Sequence, residues 1–301
     1  MSETQFISQA KVIFVSDFFI EQYTGGAELT LEALALACPY PYVKIQSKNL
    51  TRELVALYKD KVHWILVNYT GVSKDVLIDI ALDCKYSVIE CDYKYCKYRS
   101  SHLHKLNEQT ECKCNIEDTG KFTRGFFKRS TMTWFMSQGQ LEEYYSQFPS
   151  MKKWTNLDIQ GSTWTSEHLD KLLTLGKETA KNDKFAVLSG ASWIKNQSFI
   201  EEHLNIQGIQ YELVGNLPYD KFIEQLSKYK GLCFIPKGYD TCPRIVIEAK
   251  IMGLETELGD LVQIKNDKWF NEKTSFELVE YLKTKPKTFW EKFKENTNLE
   301  N

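Results

Sequence analysis

Nowhere does this 301-residue chain carry an apolar run approaching the ~20 residues that a bilayer-crossing helix needs. The opening MSETQFISQAK has no apolar stretch of the signal-peptide kind, so a cytoplasmic location without a membrane span is expected. Excess charge of one sign is missing too. Lys and Arg number 38 against 40 Asp and Glu, a formal net charge of -2. That balance lacks the global basic excess of a nucleic-acid binder, but it leaves room for a local basic groove, because phosphate contacts need only a few cations on one face. Internal repeats and low-complexity tracts are absent. What remains, 43% hydrophobic and 26% charged residues, is the composition of a soluble globular protein, long enough for two domains of about 150 residues. The eight cysteines are expected to be reduced or metal-bound rather than paired in disulfides.

The order of elements argues for a nucleotide-binding architecture. Lys11 to Phe19 (KVIFVSDFF) reads as a first strand, followed by the glycine pair Gly25-Gly26 and a helix over Leu29 to Cys38. Glycines there let a ligand approach the backbone at a helix N-terminus. Short apolar strands then alternate with helices: strands at 42–46, 62–68, 86–90 and 132–136, helices at 50–59, 73–83 and 138–148. Such spacing predicts a parallel sheet, with ligands beyond the carboxyl ends of the strands. Asp92, just past the 86–90 strand, is therefore expected near a ligand, or alternatively as a turn cap. A second α/β domain opens at the strand 185–189. The boundary is placed at residues 182/183, giving domains 1–182 and 183–301, the first with a Cys-rich insertion over about 91–130.

The stretch that organises the chain is Gly238 to Gly253, GYDTCPRIVIEAKIMG, after the buried strand 231–236. Pro243 can start a helix and Gly253 can stop it. A strand-to-helix turn of this kind presents backbone N–H groups and a positive dipole end, a site for phosphate. Asp240 and Glu248 frame it, and Glu248, among apolar neighbours, needs a hydrogen-bonding partner. A second loop, Gly190-Ala-Ser-Trp-Ile-Lys195, follows the 185–189 strand and offers one Lys in a further phosphate-cradling arrangement.

Acid, seven residues, Glu and Ala resembles the E-x7-E signature of family 4 glycosyltransferases, and GGAE and the SWIK loop fit the same family; the whole chain is also similar to compact phage-encoded members. The resemblance implies a GT-B fold: α/β, two Rossmann-like domains facing across a cleft. It implies transfer of a sugar from a UDP- or GDP-type nucleotide-sugar donor to an acceptor hydroxyl, with retention and without a metal in the chemistry. Asp240, Thr241 and Cys242 would then hold the donor sugar and diphosphate, Lys195 would neutralise the leaving diphosphate, and Glu248 would bind the ribose. Gly25 and Gly26 would face the diphosphate and Leu217 in the GNLP turn would lie under the base. This sequence departs from the pattern in having Asp240 rather than Glu and TCP in place of a glycine-containing run. The usual Arg beside the Lys is also missing, with Arg244 as its nearest replacement. If the reaction inverts configuration instead, it needs a base, and Asp92 is the first candidate.

The least ordinary segment runs from Cys91 to Cys114, with four cysteines, Cys91, Cys96, Cys112 and Cys114, and two histidines, His102 and His104. Four thiolates suit a tetrahedral structural zinc, whereas the spacing lacks C-x2-C pairs, so reduced cysteines without metal stand beside it. Tyr93, Lys94, Tyr95, Lys97, Tyr98, Arg99 and Lys105, with Lys121, Arg124, Lys128 and Arg129 beyond, interleave rings and cations. They are expected either to stack on a base or sugar and hold phosphates, or to form a solvated face. The acceptor is thus expected to be a glycan or other saccharide, or alternatively a hydroxymethylated or already glycosylated base in DNA. A GT-B scaffold that binds without catalysis is the third reading. Oligomeric state is not legible in the sequence.

Overall fold

The computed structural model describes residues 9–190, 195–297 and 299. Two compact units emerge, one comprising Met1–Met136, Gln140–Thr163 and Lys285–Asn301, the other Ser137–Gly139 and Trp164–Thr284.

Unit 1 is built on six parallel strands, β1 (Val12–Ser16), β2 (Tyr42–Gln46), β3 (His63–Leu66), β4 (Lys85–Glu90), β5 (Thr133–Phe135) and β6 (Leu157–Ile159), ordered β2-β1-β3-β4-β5-β6. β1 is buried throughout, as a central strand flanked on both edges must be, with Val12 opposite Tyr42 on one side and His63 on the other. Its connections are helical: α1 (Gly26–Leu36), α2 (Arg52–Tyr58), α3 (Lys74–Asp83), α4 (Ser101–Glu108), α5 (Asp118–Arg129) and α6 (Gln138–Gln147). Thr51, Ser73 and Ser100 start α2, α3 and α4 by accepting the N–H of Leu54, Val76 and Leu103. Strand order reverses between β1 and β3, and a doubly wound sheet opens its crevice at that reversal.

Unit 2 repeats the plan in smaller form. β7 (Phe185–Leu188), β8 (Tyr211–Val214), β9 (Gly231–Phe234) and β10 (Glu255–Leu258) are parallel and ordered β10-β9-β7-β8, so the reversal lies between β7 and β9. Its helices are α7 (Ser166–Glu178), α8 (Gln197–Gln207), α9 (Tyr219–Leu226), α10 (Arg244–Ile251), α11 (Lys268–Asn271) and α12 (Ser275–Thr297), the last continuing into unit 1. Phe185, Val187, Ile200, Leu204 and Cys233 form a core beneath α8. The fold is α/β with two Rossmann-like parallel sheets, as the strand and helix alternation predicts.

Two expectations are corrected. The insertion over 91–130 is not an open ring-and-cation surface: Tyr93 and Tyr95 are fully buried, packed on Tyr144 at 5.7 and 5.3 Å between centroids, and Lys94 is buried with them. The reason is amphipathicity in α5, which turns Thr123, Phe126 and Phe127 inward and leaves Lys121, Arg124 and Lys128 outside. The C-terminal stretches 275–282 and 288–293, which the sequence alone reads as two helices parted by Pro286, form one continuous helix.

Candidate functional site

In unit 2 the carboxyl ends of β7 and β9 meet at the strand reversal. After β7 the chain reaches Lys195, while residues 191–194 of the SWIK loop lie outside the described residues. Asn196, in the left-handed region at φ 59°, caps α8 and donates its side-chain amide to Ile235 O at 3.1 Å, tying the β7 loop to the end of β9. Lys195 Nζ sits 5.3 Å from the Phe234 ring centre, and its charge acts on Asp240. Asp240 is pinned by its backbone, which donates to Leu261 O and accepts from Gln263 N, both at 3.0 Å. Burial pushes its carboxyl above the usual range, opposed by the Lys195 ammonium and the Cys242 N–H. Thr241 and Cys242 are buried in the turn, and Pro243 leads into α10.

Glu248 stands one turn inside α10 and is 1% exposed. Its Oε1 accepts from Trp164 Nε1 at 2.9 Å and Tyr219 OH at 2.5 Å, and Arg244 Nε lies 3.4 Å away. The Arg244 guanidinium lies over the Trp164 ring, 4.2 Å from its centre. His168 completes the shell, stacked on Tyr219 with Nε2 3.0 Å from its hydroxyl. Burial holds the His168 imidazole below its usual range, with Glu248 opposing and Arg244 adding to the shift. By contrast, Oε2 of Glu248 is buried without a hydrogen-bond partner among the described residues. An orphaned buried acceptor costs about 1–3 kcal/mol, and a ligand hydroxyl would recover it. Nothing local to Trp164, His168 or Tyr219 signals this shell in the sequence; long-range packing brings them to Glu248. Leu217 is 43% exposed on the turn between β8 and α9, where Gly215 is required because a Cβ would lie 2.5 Å from Ser189 Oγ.

Unit 1 presents its own polar cluster at the reversal between β1 and β3. Asp17, just past β1, accepts the N–H groups of Thr70 at 3.2 Å and Gly71 at 2.9 Å from the β3 loop, and the Ser47 hydroxyl. Burial acts to raise its carboxyl, but these hydrogen bonds outweigh it and hold it below the usual range. Gly25 is the N-cap of α1, where a Cβ would meet Glu28 Oε2 at 2.5 Å and the exposed Tyr23 ring at 2.6 Å, so those side chains would have to turn aside, and Gly26 opens the helix. Glu28 itself is 6% exposed, its carboxyl raised by burial, with the nearby Asp17 adding to the shift.

Beyond β4, Asp92 is held from both sides: Oδ1 accepts Lys94 Nζ at 3.0 Å and Arg99 Nη1 at 3.1 Å, and Oδ2 the same Arg99 nitrogen at 3.1 Å. Burial raises its carboxyl, yet these two cations overcome it and leave Asp92 ionised below the usual range. Such a carboxylate is a weak base. Arg99 also donates to Thr70 Oγ1 at 2.7 Å, and Lys94 pairs with the fully buried Glu90 at 3.1 Å. Asp17 and Glu28 were not singled out from the sequence, although Asp17 is the first charged residue after the first strand.

Of the four cysteines proposed as a ligand set, Cys96, Cys112 and Cys114 come together, and the fourth member is His104 rather than Cys91. Cys91 Sγ instead lies 4.0 Å from Ile89 O.

No protein-family model matches the chain, and no curated protein does. Among solved structures, HepE from Anabaena, in complex with UDP and glucose, aligns with a TM-score of 0.56 at 10% identity over 96% of this chain and 99% of that one. An alpha-glucosyltransferase in complex with UDP aligns at 0.49, with 8% identity over 95% and 99% of the two chains. Another, with UDP and a 13-mer DNA containing an HMU base, aligns at 0.45 with 8% identity over 95% and 92%. The structural neighbours are GT-B glycosyltransferases, and the likeness to HepE at this identity establishes the fold.

Proposed function

We propose that this chain is a glycosyltransferase that moves a sugar from a nucleotide-activated donor to an acceptor hydroxyl. The observation that carries the reading is the placement of Lys195 and Asp240 on the loops after β7 and β9, at the strand reversal of unit 2, in a fold shared with glycosyltransferases. A lysine at that position supplies the charge that a leaving nucleoside diphosphate needs as the glycosidic bond breaks, and the N-terminus of α10 adds to it. Asp240 then contacts the donor sugar, Thr241 and Cys242 line the turn beside it, and Leu217 lies under the base. Glu248 Oε2 takes a ribose hydroxyl, with Trp164, Tyr219 and Arg244 fixing the carboxylate. The acceptor is assigned to unit 1, where Asp17 and Glu28 lie close together. Asp92, ionised and doubly paired, serves as a positioning group there, and the chemistry retains configuration without a protein base.

The acceptor is a saccharide in the main reading. The exposed stripe Lys121, Arg124 and Lys128 on α5 favours a second one, a modified base in DNA, since cations one turn apart match a phosphate backbone. Steeply salt-dependent binding to duplex DNA would select that second reading, and salt-insensitive or absent binding would select the first.

Thermal unfolding against UDP, GDP and their sugars tests the donor assignment. Ligand at 100 times its dissociation constant adds about 2.7 kcal/mol of stability. Stabilisation by one nucleotide family is expected; none from any would point to a scaffold without transferase activity.

A further inference from the structure

The Cys-rich insertion of unit 1 contributes nothing to the donor chemistry above, yet it gathers four soft ligands at one point. Cys96, His104, Cys112 and Cys114 place their ligand atoms within 4.8 Å of one another. Cys96 Sγ is 3.7 Å and Cys114 Sγ 3.5 Å from His104 Nδ1, and Cys112 Sγ is 3.6 Å from Cys96 Sγ. A tetrahedral zinc with Zn–S of ~2.3 Å and Zn–N of ~2.0 Å has S···S edges of about 3.8 Å and S···N edges of about 3.5 Å. The three separations match those edges. They do not match a disulfide, whose sulfurs lie about 2.05 Å apart.

The chain turns sharply after Cys96, with Arg99 N–H donating to Cys96 O at 2.9 Å and Arg99 itself at φ 56°. His104 comes from α4, and Cys114 opens the short 3-10 turn over Cys114–Ile116, so ligands from three separate segments converge. Cys96, Cys114 and His104 are buried and Cys112 is half-buried.

We infer that Cys96, His104, Cys112 and Cys114 bind one structural Zn2+ that fixes the insertion of unit 1. All four positions come from the protein, the closed arrangement of a structural rather than a catalytic site. Three thiolates and one imidazole select zinc over the hard cations Mg2+ and Ca2+. The consequence reaches the polar cluster, because Asp92, Lys94 and Arg99 lie on the segment that Cys96 anchors. Losing the metal frees that segment.

The test is metal content of the full chain purified without added metal, measured by inductively coupled plasma mass spectrometry. One zinc per chain is expected in the wild type and in Cys91→Ser, falling to background in Cys112→Ser and His104→Gln. Should those variants fail to fold, the wild-type protein stripped with a strong chelator and refilled with Co2+ provides the second readout. Thiolate-to-cobalt charge-transfer bands and the intense d–d bands of tetrahedral coordination are expected, together with hydrogen exchange over 91–116 that speeds up on stripping and slows on refilling. A wild-type chain without zinc and without those cobalt bands would overturn the inference. So would a Cys96–Cys112 disulfide in the purified protein, or zinc lost in Cys91→Ser and kept in His104→Gln.

Discussion

Asp240 and Glu248 lie eight residues apart and differ in what their charge meets. Glu248 is matched by Arg244 and by two neutral donors. Glu248→Gln keeps the shape and removes the charge that the buried Arg244 guanidinium faces, which costs about 3 kcal/mol. Chemical denaturation will show the midpoint fall. Asp240, with its carboxyl raised by burial, is an acid whose ionised form the fold disfavours. A raised acid binds more protons folded than unfolded, so its cost appears as pH climbs past the unfolded value and persists at neutrality. Asp240→Asn is therefore expected to raise stability at pH 7 by about 1 kcal/mol while reducing transfer. A stabilised variant with full transfer activity would remove Asp240 from the site. These acids and Lys195 were legible in the sequence because strand, turn and helix signals bracket them. Trp164, His168 and Tyr219 were not, since each meets Glu248 only through the tertiary fold. His104 was visible but spacing among cysteines outweighed it, although ligand sets form in space rather than along the chain.

At the level of elements, strands with β-branched and aromatic runs were the most readable, and β2 and β4 fall within a residue of where the pattern puts them. α5 was hidden by Gly120 and Gly125, which weaken helix propensity. Gly120 has a packing reason: a Cβ there would lie 2.2 Å from Cys114 O, so only glycine lets the helix press against the turn carrying that ligand. Pro286 misled in the opposite direction, because it removes one helical hydrogen bond without ending α12. Helix packing in unit 2 depends on another glycine. A Cβ on Gly176 of α7 would meet the Met252 backbone at 2.7 Å, just past α10. Gly176→Ala is expected to separate the two helices and cost about 1–3 kcal/mol. Since α7 follows Trp164 and α10 carries Glu248, the same variant should weaken nucleotide binding; thermal unfolding with and without nucleotide measures both effects.

For the molecule as a whole, a buried histidine outside the candidate sites is expected to add to acid sensitivity, beside the depressed carboxyls of Asp17 and Asp92. His63 is 1% exposed on β3, with Nε2 2.9 Å from Ser87 Oγ and its ring 4.8 Å from that of Phe293. Burial, with help from the Lys85 charge, depresses its imidazole to about 3. The unfolded chain takes up a proton as pH falls below about 6.5 while the folded chain does not, so stability is complete above that pH and lost below it. The slope is about 1.4 kcal/mol per pH unit down to the folded value. Urea midpoints between pH 7 and pH 4 are expected to fall steeply in the wild type and more gently in His63→Gln; equal slopes would assign the acid sensitivity elsewhere.

The central claim is that Lys195 holds the diphosphate of a nucleotide donor in unit 2. Calorimetric titration of the stabilising nucleoside diphosphate into the wild type and Lys195→Ala tests it most directly. Binding weakened by about tenfold or more, roughly 1.4 kcal/mol, with the corresponding monophosphate bound alike by both proteins, is the predicted result. Equal diphosphate affinity in the two proteins would contradict the assignment.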